Sequence, residues 1–128
     1  MTRVLIADDS LPVRMLLHRV LTMNGHEVVE AHNGEEACEL LVAERPDVAI
    51  LDIVMPGPSG IEICKLVRAD PTLASTGLIV LSANLGSEAA LAAGADAFLN
   101  KPFRPQDLLE TIADVAAAHR VGIRSRGA

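Results

Sequence analysis

The run Val48-Ala49-Ile50-Leu51 constrains this 128-residue chain more than any other stretch. Four aliphatic residues in a row leave no polar side for water, so a strand built from them must be covered on both faces. The segment TGLIVLS (76–82) repeats the pattern, and RVLIAD (3–8) comes close to it. EVVEA (27–31), DVAILD (47–52) and ADAFL (95–99) complete five strand-like segments. Between them apolar residues recur at helical spacing. Val13, Leu16, Leu17, Val20 and Leu21 form one such stripe, with Ser10 placed as its N-cap, Pro12 in its first turn and Asn24-Gly25 as its stop. A helix beginning at Asn33-Gly34 puts Ala37, Leu40 and Leu41 on one face, and Pro46 closes it. Residues 60–69 align Ile63, Cys64 and Val67. Residues 87–93 form a short helix, and a last helix from about Pro105 buries Leu108, Ile112 and Val115.

Strictly alternating strands and helices, with strands too apolar to face water, predict an α/β fold: a parallel sheet between two helical layers. Right-handed crossovers leave few topologies, and the flavodoxin-like (βα)5 sandwich with strand order 2-1-3-4-5 is the expected one. We read residues 1–118 as one domain and 119–128, HRVGIRSRGA, as a flexible C-terminal tail. Seventeen acids against eleven bases give a net charge of −6, which argues against direct binding of nucleic acid. No apolar run approaches the ~18 residues that would cross a bilayer. The N-terminal MTRVLIADDS lacks the pattern of a secretion signal. Cys38 and Cys64 are isolated and read as buried hydrophobes in a reducing cytoplasm. His18, His26, His32 and His119 show no metal-ligand spacing and read as surface residues.

The carboxyl ends of parallel strands form one rim, and ligands bind there. The first strand ends at Asp8 and Asp9, the third at Asp52 and the fourth at Ser82, while Lys101 follows the fifth. Crowded carboxylates raise one another's pKa unless a cation compensates, and a hard divalent ion such as Mg²⁺ suits ligands that are all oxygen. A carboxylate nucleophile, a metal, a lysine and a hydroxyl are the parts that phosphoryl transfer requires. The residues therefore point to phosphoryl transfer onto Asp52. Each has a plainer reading beside this one. Asp8 and Asp9 could serve the first helix N-terminus, Asp52 a turn, Lys101 the solvated surface, Ser82 a cap, and Phe98 the core.

From VLIADDS through LDIVMPGPSG and LSA to AGADAFLNKPF, the chain resembles the receiver domain of two-component response regulators, of the single-domain chemotaxis-regulator kind. Each motif falls at the matching strand end and in the right order. The resemblance implies that Asp52 accepts a phosphoryl group from a histidine kinase or histidine phosphotransfer protein. It implies that Asp9, Asp52 and the backbone carbonyl of Val54 hold Mg²⁺, with Asp8 acting through a water. It also implies that Ser82 and Lys101 contact the phosphoryl group, that Phe98 is the aromatic switch residue, and that Pro102 follows a cis bond. Such a module switches its contacts with a downstream effector protein. It catalyses its own phosphorylation and dephosphorylation but is not a metabolic enzyme, and dimerisation on phosphorylation is left open. We expect a stand-alone receiver, the alternative being the receiver part of a longer regulator.

Two other functions share parts of this pattern. A haloacid dehalogenase-type phosphatase would want a D-x-D pair where this chain has adjacent Asp8-Asp9, and usually a cap domain. A flavodoxin-type FMN site would be repelled by the anionic loop ADDSLPV.

The chain also departs from the family pattern. Pro58 and Ser59 replace the commoner Met-Asp, and the stretch from Ser82 to Lys101 is short by about one helical turn, so the fourth helix must be truncated or begin late. Val54 and Asn84 fall where the family tunes phosphorylation and hydrolysis rates. An apolar Val54 cannot orient an attacking water, so Val54→Asn should speed loss of the aspartyl phosphate. Unchanged or slower decay of the labelled protein would contradict this.

Overall fold

A computed structural model of the chain describes residues 2–83 and 87–120. Asn84 and residues 121–128 lie outside the described residues. The elements run β1 (Arg3–Ala7), α1 (Leu11–Met23), β2 (Glu27–Ala31), α2 (Gly34–Glu44), β3 (Val48–Asp52), α3 (Gly60–Ala69), β4 (Gly77–Ser82), α4 (Ser87–Ala92), β5 (Ala97–Asn100) and α5 (Pro105–Arg120). All strand pairs are parallel and the order is β2-β1-β3-β4-β5, as the alternation of elements predicts.

The pleat divides the aliphatic runs between two cores. Val4, Ile6, Val48, Ile50, Ile79 and Leu81 pack with Leu17 and Leu21 of α1 and with Leu108 and Ile112 of α5. Leu5, Ala7, Ala49, Leu51, Leu78 and Val80 pack on the opposite face with Leu41 of α2 and Ile63 and Val67 of α3. Every residue of β3 and β4 is buried, which explains why neither strand shows an alternating pattern. Each fully buried Ile or Leu contributes about 2 kcal/mol from apolar area removed from water.

Helix boundaries follow local chemistry. Ser10 caps α1 by accepting from the Val13 N–H, and Asn33 caps α2 by accepting from the Glu36 N–H at 2.8 Å. Ser59 and Glu62 form a capping box on α3, so Ser59 at a position where the family often has Asp serves the helix start. Gly25 takes a φ of 84° after α1, a conformation that favours glycine. The fourth helix has only six residues, in keeping with the short Ser82-to-Lys101 stretch.

Two expectations need correction. His119 is not a surface residue: it is 9% exposed, and its Nε2 lies 2.9 Å from Asp96 Oδ2. Helix α5 accordingly runs through Arg120, two residues into the segment read as a tail. The cause is a buried polar node that sequence periodicity does not reveal. Asp96 Oδ2 also accepts from Arg68 Nη2 at 2.8 Å and from the Leu78 N–H at 2.8 Å. The Arg68 guanidinium further donates to the carbonyls of Gly94, Ala74 and Thr76. One carboxylate thus joins α3, the start of β4, the turn before β5 and the last turn of α5. Removing one partner of such a node strands the remaining charge. We expect Asp96→Ala to lower the unfolding free energy by about 3 kcal/mol in urea denaturation. A loss near zero would show that the node carries no stability.

Candidate functional site

The parallel register brings the ends of β1, β3 and β4 to one rim. Ala7 is level with Leu51, so Asp8 follows β1 beside Asp52 at the end of β3. Asp52 in turn pairs with Leu81, which leaves Ser82 one residue further along β4. The Lys101 N–H donates to the Ser82 carbonyl at 2.7 Å, which holds the lysine at the same rim after β5. Asp8, Asp9 and Asp52 each offer a carboxylate oxygen, and these oxygens lie within 4.8 Å of one another. Asp8 is fully buried and Asp52 nearly so, whereas Asp9 is exposed. Ser82 is 7% exposed.

Lys101 Nζ donates to Asp8 Oδ2 at 2.7 Å and lies 3.4 Å from Asp52 Oδ2. The resemblance sets Lys101 toward the phosphoryl group on Asp52; in this structure its shorter contact is with Asp8. The reason is desolvation: the buried Asp8 carboxylate has no water to turn to. Its other oxygen, Oδ1, accepts from the Ser10 N–H at 2.9 Å. Both Asp8 oxygens are therefore engaged within the protein, while Asp9 projects outward from the same cluster.

The Val54 side chain is 76% exposed, and its N–H donates to the Asp52 carboxylate. Gly60 is where α3 begins against the strand it follows: a Cβ there would lie 2.5 Å from the Asp52 carbonyl oxygen. Glycine is therefore required at this close approach. The Lys101-Pro102 bond is cis, as the resemblance implies. Phe98, level with Val80 on β5, is half-buried against the core that faces α2 and α3.

Sequence reasoning missed Arg14. It is 6% exposed on α1, and its Nη1 donates to the Asp8 carbonyl at 2.6 Å, fixing the backbone that carries the two aspartates. Its Nε lies 3.5 Å from Glu30 of β2, whose other oxygen meets His18 Nδ1 at 2.8 Å. The signal was present: Arg14 shares the buried stripe of α1 with Leu17 and Leu21, where a cation is out of place without a polar target.

Burial lifts the Asp52 carboxyl above the usual carboxylate range, and the Asp8 charge adds to the rise. The Lys101 ammonium and the Val54 N–H oppose it without cancelling it. For Lys101, burial disfavours the charged form, but Asp8 and then Asp52 more than compensate, so it titrates above an ordinary lysine. Because folded Asp52 holds its proton more tightly than the unfolded chain does, its contribution to stability is present at low pH. That contribution is lost as pH rises through the folded value. Asp52→Asn should therefore raise the melting temperature of the metal-free protein at pH 7, with the gain shrinking as pH falls toward about 4. Thermal melts in EDTA across this range test it; a gain that is absent at pH 7, or that grows on acidification, would contradict it.

Residues 4–113 match the family model described as the response regulator receiver domain. The response regulator MprA of Mycobacterium ulcerans is 40% identical over 111 residues, covering 84% of this chain and 47% of that protein. The chain therefore spans about half the length of the curated relatives it matches. A crystal structure of a response regulator from Chloroflexus aurantiacus is 35% identical with a TM-score of 0.87, covering 91% of this chain and 98% of that one. The Vibrio cholerae chemotaxis protein CheY4 is 35% identical with a TM-score of 0.84, covering 90% and 98%. With its sheet order, acidic rim and motif positions in agreement, the chain belongs to the response regulator receiver domain family.

Proposed function

We propose that Asp52 is the phosphoacceptor of a two-component phosphorelay. The observation that carries this reading is the meeting of Asp8, Asp9 and Asp52 at one rim with Lys101 within reach of two of them. Three carboxylates meet there and the Lys101 ammonium reaches two of them, which leaves an excess of negative charge made of hard oxygen donors. A divalent ion such as Mg²⁺ fits that donor set. Asp9, Asp52 and the Val54 carbonyl would hold it, and Asp8, whose oxygens already accept from Ser10 and Lys101, would act through a water. When bound, the ion neutralises charge on the phosphoryl oxygens.

The chain's own groups do the remaining work. An Asp52 oxygen attacks the phosphorus of a partner's phosphohistidine, a P–O bond forms as the P–N bond breaks, and the histidine leaves with the bonding pair. Lys101 and Ser82 stand at the rim where the new phosphoryl oxygens need donors. Phe98, on the strand that pairs with β4, would follow a movement of that hydroxyl. Turnover is confined to the chain's own phosphorylation and dephosphorylation; we assign no metabolic substrate. The donor is a histidine kinase or histidine phosphotransfer protein, and the output is altered contact with an effector protein, in trans or within a longer regulator. We place the module in the cytoplasm, in keeping with its unpaired Cys38 and Cys64.

Incubation with a panel of phosphorylated histidine kinases should label the protein with one phosphoryl group in the presence of Mg²⁺. Labelling should vanish with Asp52→Ala or with EDTA. Label that persists in Asp52→Ala, or steady turnover of a phosphomonoester, would overturn the assignment.

A further inference from the structure

The loop from Ile53 to Ser59 leaves β3 carrying the Val54 carbonyl, and nothing within it forms regular structure. Two of its anchors come from its own ends: the Ile53 N–H donates to the Leu81 carbonyl at 3.1 Å, and the Gly60 N–H to the Ile53 carbonyl at 3.2 Å. The third comes from a different part of the chain. The N–H of Gly34, the first residue of α2, donates to the Pro56 carbonyl at 2.9 Å. Gly34 is buried, and a Cβ there would drive into the backbone of Pro58, with its nitrogen at 2.8 Å and its carbonyl carbon at 2.9 Å. These are main-chain atoms, so no rotamer change can relieve the overlap. From the loop side, Gly57 turns at a φ of 82° and lies against the backbone of Gly34 and Glu35.

We infer that Gly34 is a positioning residue for the phosphorylation loop: the bare N-terminus of α2 is the wall against which residues 54–58 are set, and it fixes the direction of the Val54 carbonyl. This rests on the metal-assisted reading of the rim given above. The helix itself has no need of glycine at this position, because its cap is already supplied by Asn33, and glycine lowers helix propensity. What needs the missing side chain is the loop packed on top of it. A shift of well under an ångström in an oxygen ligand is enough to weaken a rigid, hard-ion site.

The test compares Gly34→Ala with Gly25→Ala in the full 128-residue chain. Gly25 has a φ of 84°, and a Cβ added there would meet nothing within 4 Å, so alanine strains the backbone far from the loop. Both variants should melt at lower temperature than the wild type. Only Gly34→Ala should weaken Mg²⁺ affinity by calorimetric titration, by roughly tenfold to a hundredfold, the usual effect of disturbing groups that orient metal ligands. In the metal-free protein it should also shift the backbone amide resonances of Val54 and Met55, which Gly25→Ala should leave in place. If Gly34→Ala does not fold, Gly57→Ala, which strains the left-handed turn lying against the backbone of Gly34 and Glu35, should give the same loss of affinity. Wild-type affinity in Gly34→Ala, or in Gly57→Ala where that variant stands in, would overturn the inference. A wild-type chain that binds no Mg²⁺ would instead overturn the reading of the rim on which it rests.

Discussion

Everything in this structure depends on the double coverage of β3 and β4. Up to Asp52 and Ser82 at their carboxyl ends, their residues are aliphatic or glycine and buried on both sides, so neither face can carry a charge before the strand end. Polar chemistry is driven to the strand ends. Parallel pairing then gathers those ends at one edge, because the crossover helices return every strand in the same direction. The acidic rim thus follows from an apolar sheet interior: where the sheet excludes water on both sides, ionisable groups collect at its boundary.

That boundary is electrostatically unfinished. Asp8 is compensated by Lys101 and by the Ser10 N–H, and Arg14 holds its carbonyl from beneath. Asp52 shares the same ammonium and accepts from the Val54 N–H, yet burial keeps it above the normal carboxylate range. A carboxylate held in this way gains when a cation arrives, because the cation offsets the desolvation that makes an ionised Asp52 costly. The supporting contacts come from helices behind the rim: α1 supplies Arg14, and α2 supplies the wall at Gly34.

The opposite end of the sheet has its own charge node. Asp96, Arg68 and His119 join α3, the turn before β5 and the end of α5. The two polar clusters are separated by the sheet's aliphatic interior, so each can be satisfied independently. One end gathers the groups that could bind an ion, and the other ties the last helix down.

Periodicity and composition determined the five alternating units, the apolar faces of the helices and the residues at each strand end, because all of these are local or set by a single strand direction. Asp8, Asp9, Asp52, Ser82 and Lys101 were legible for that reason: each stands where an apolar run stops. Tertiary structure alone decided which of them touch. It gave Lys101 to Asp8 more closely than to Asp52, since depth of burial is a property of the packed sheet and not of any one segment. It likewise made His119 a buried partner of Asp96 and turned Arg14 and Gly34 into supports of the rim. Those roles depend on atoms contributed by distant parts of the chain, and a linear pattern carries no record of the distance between them.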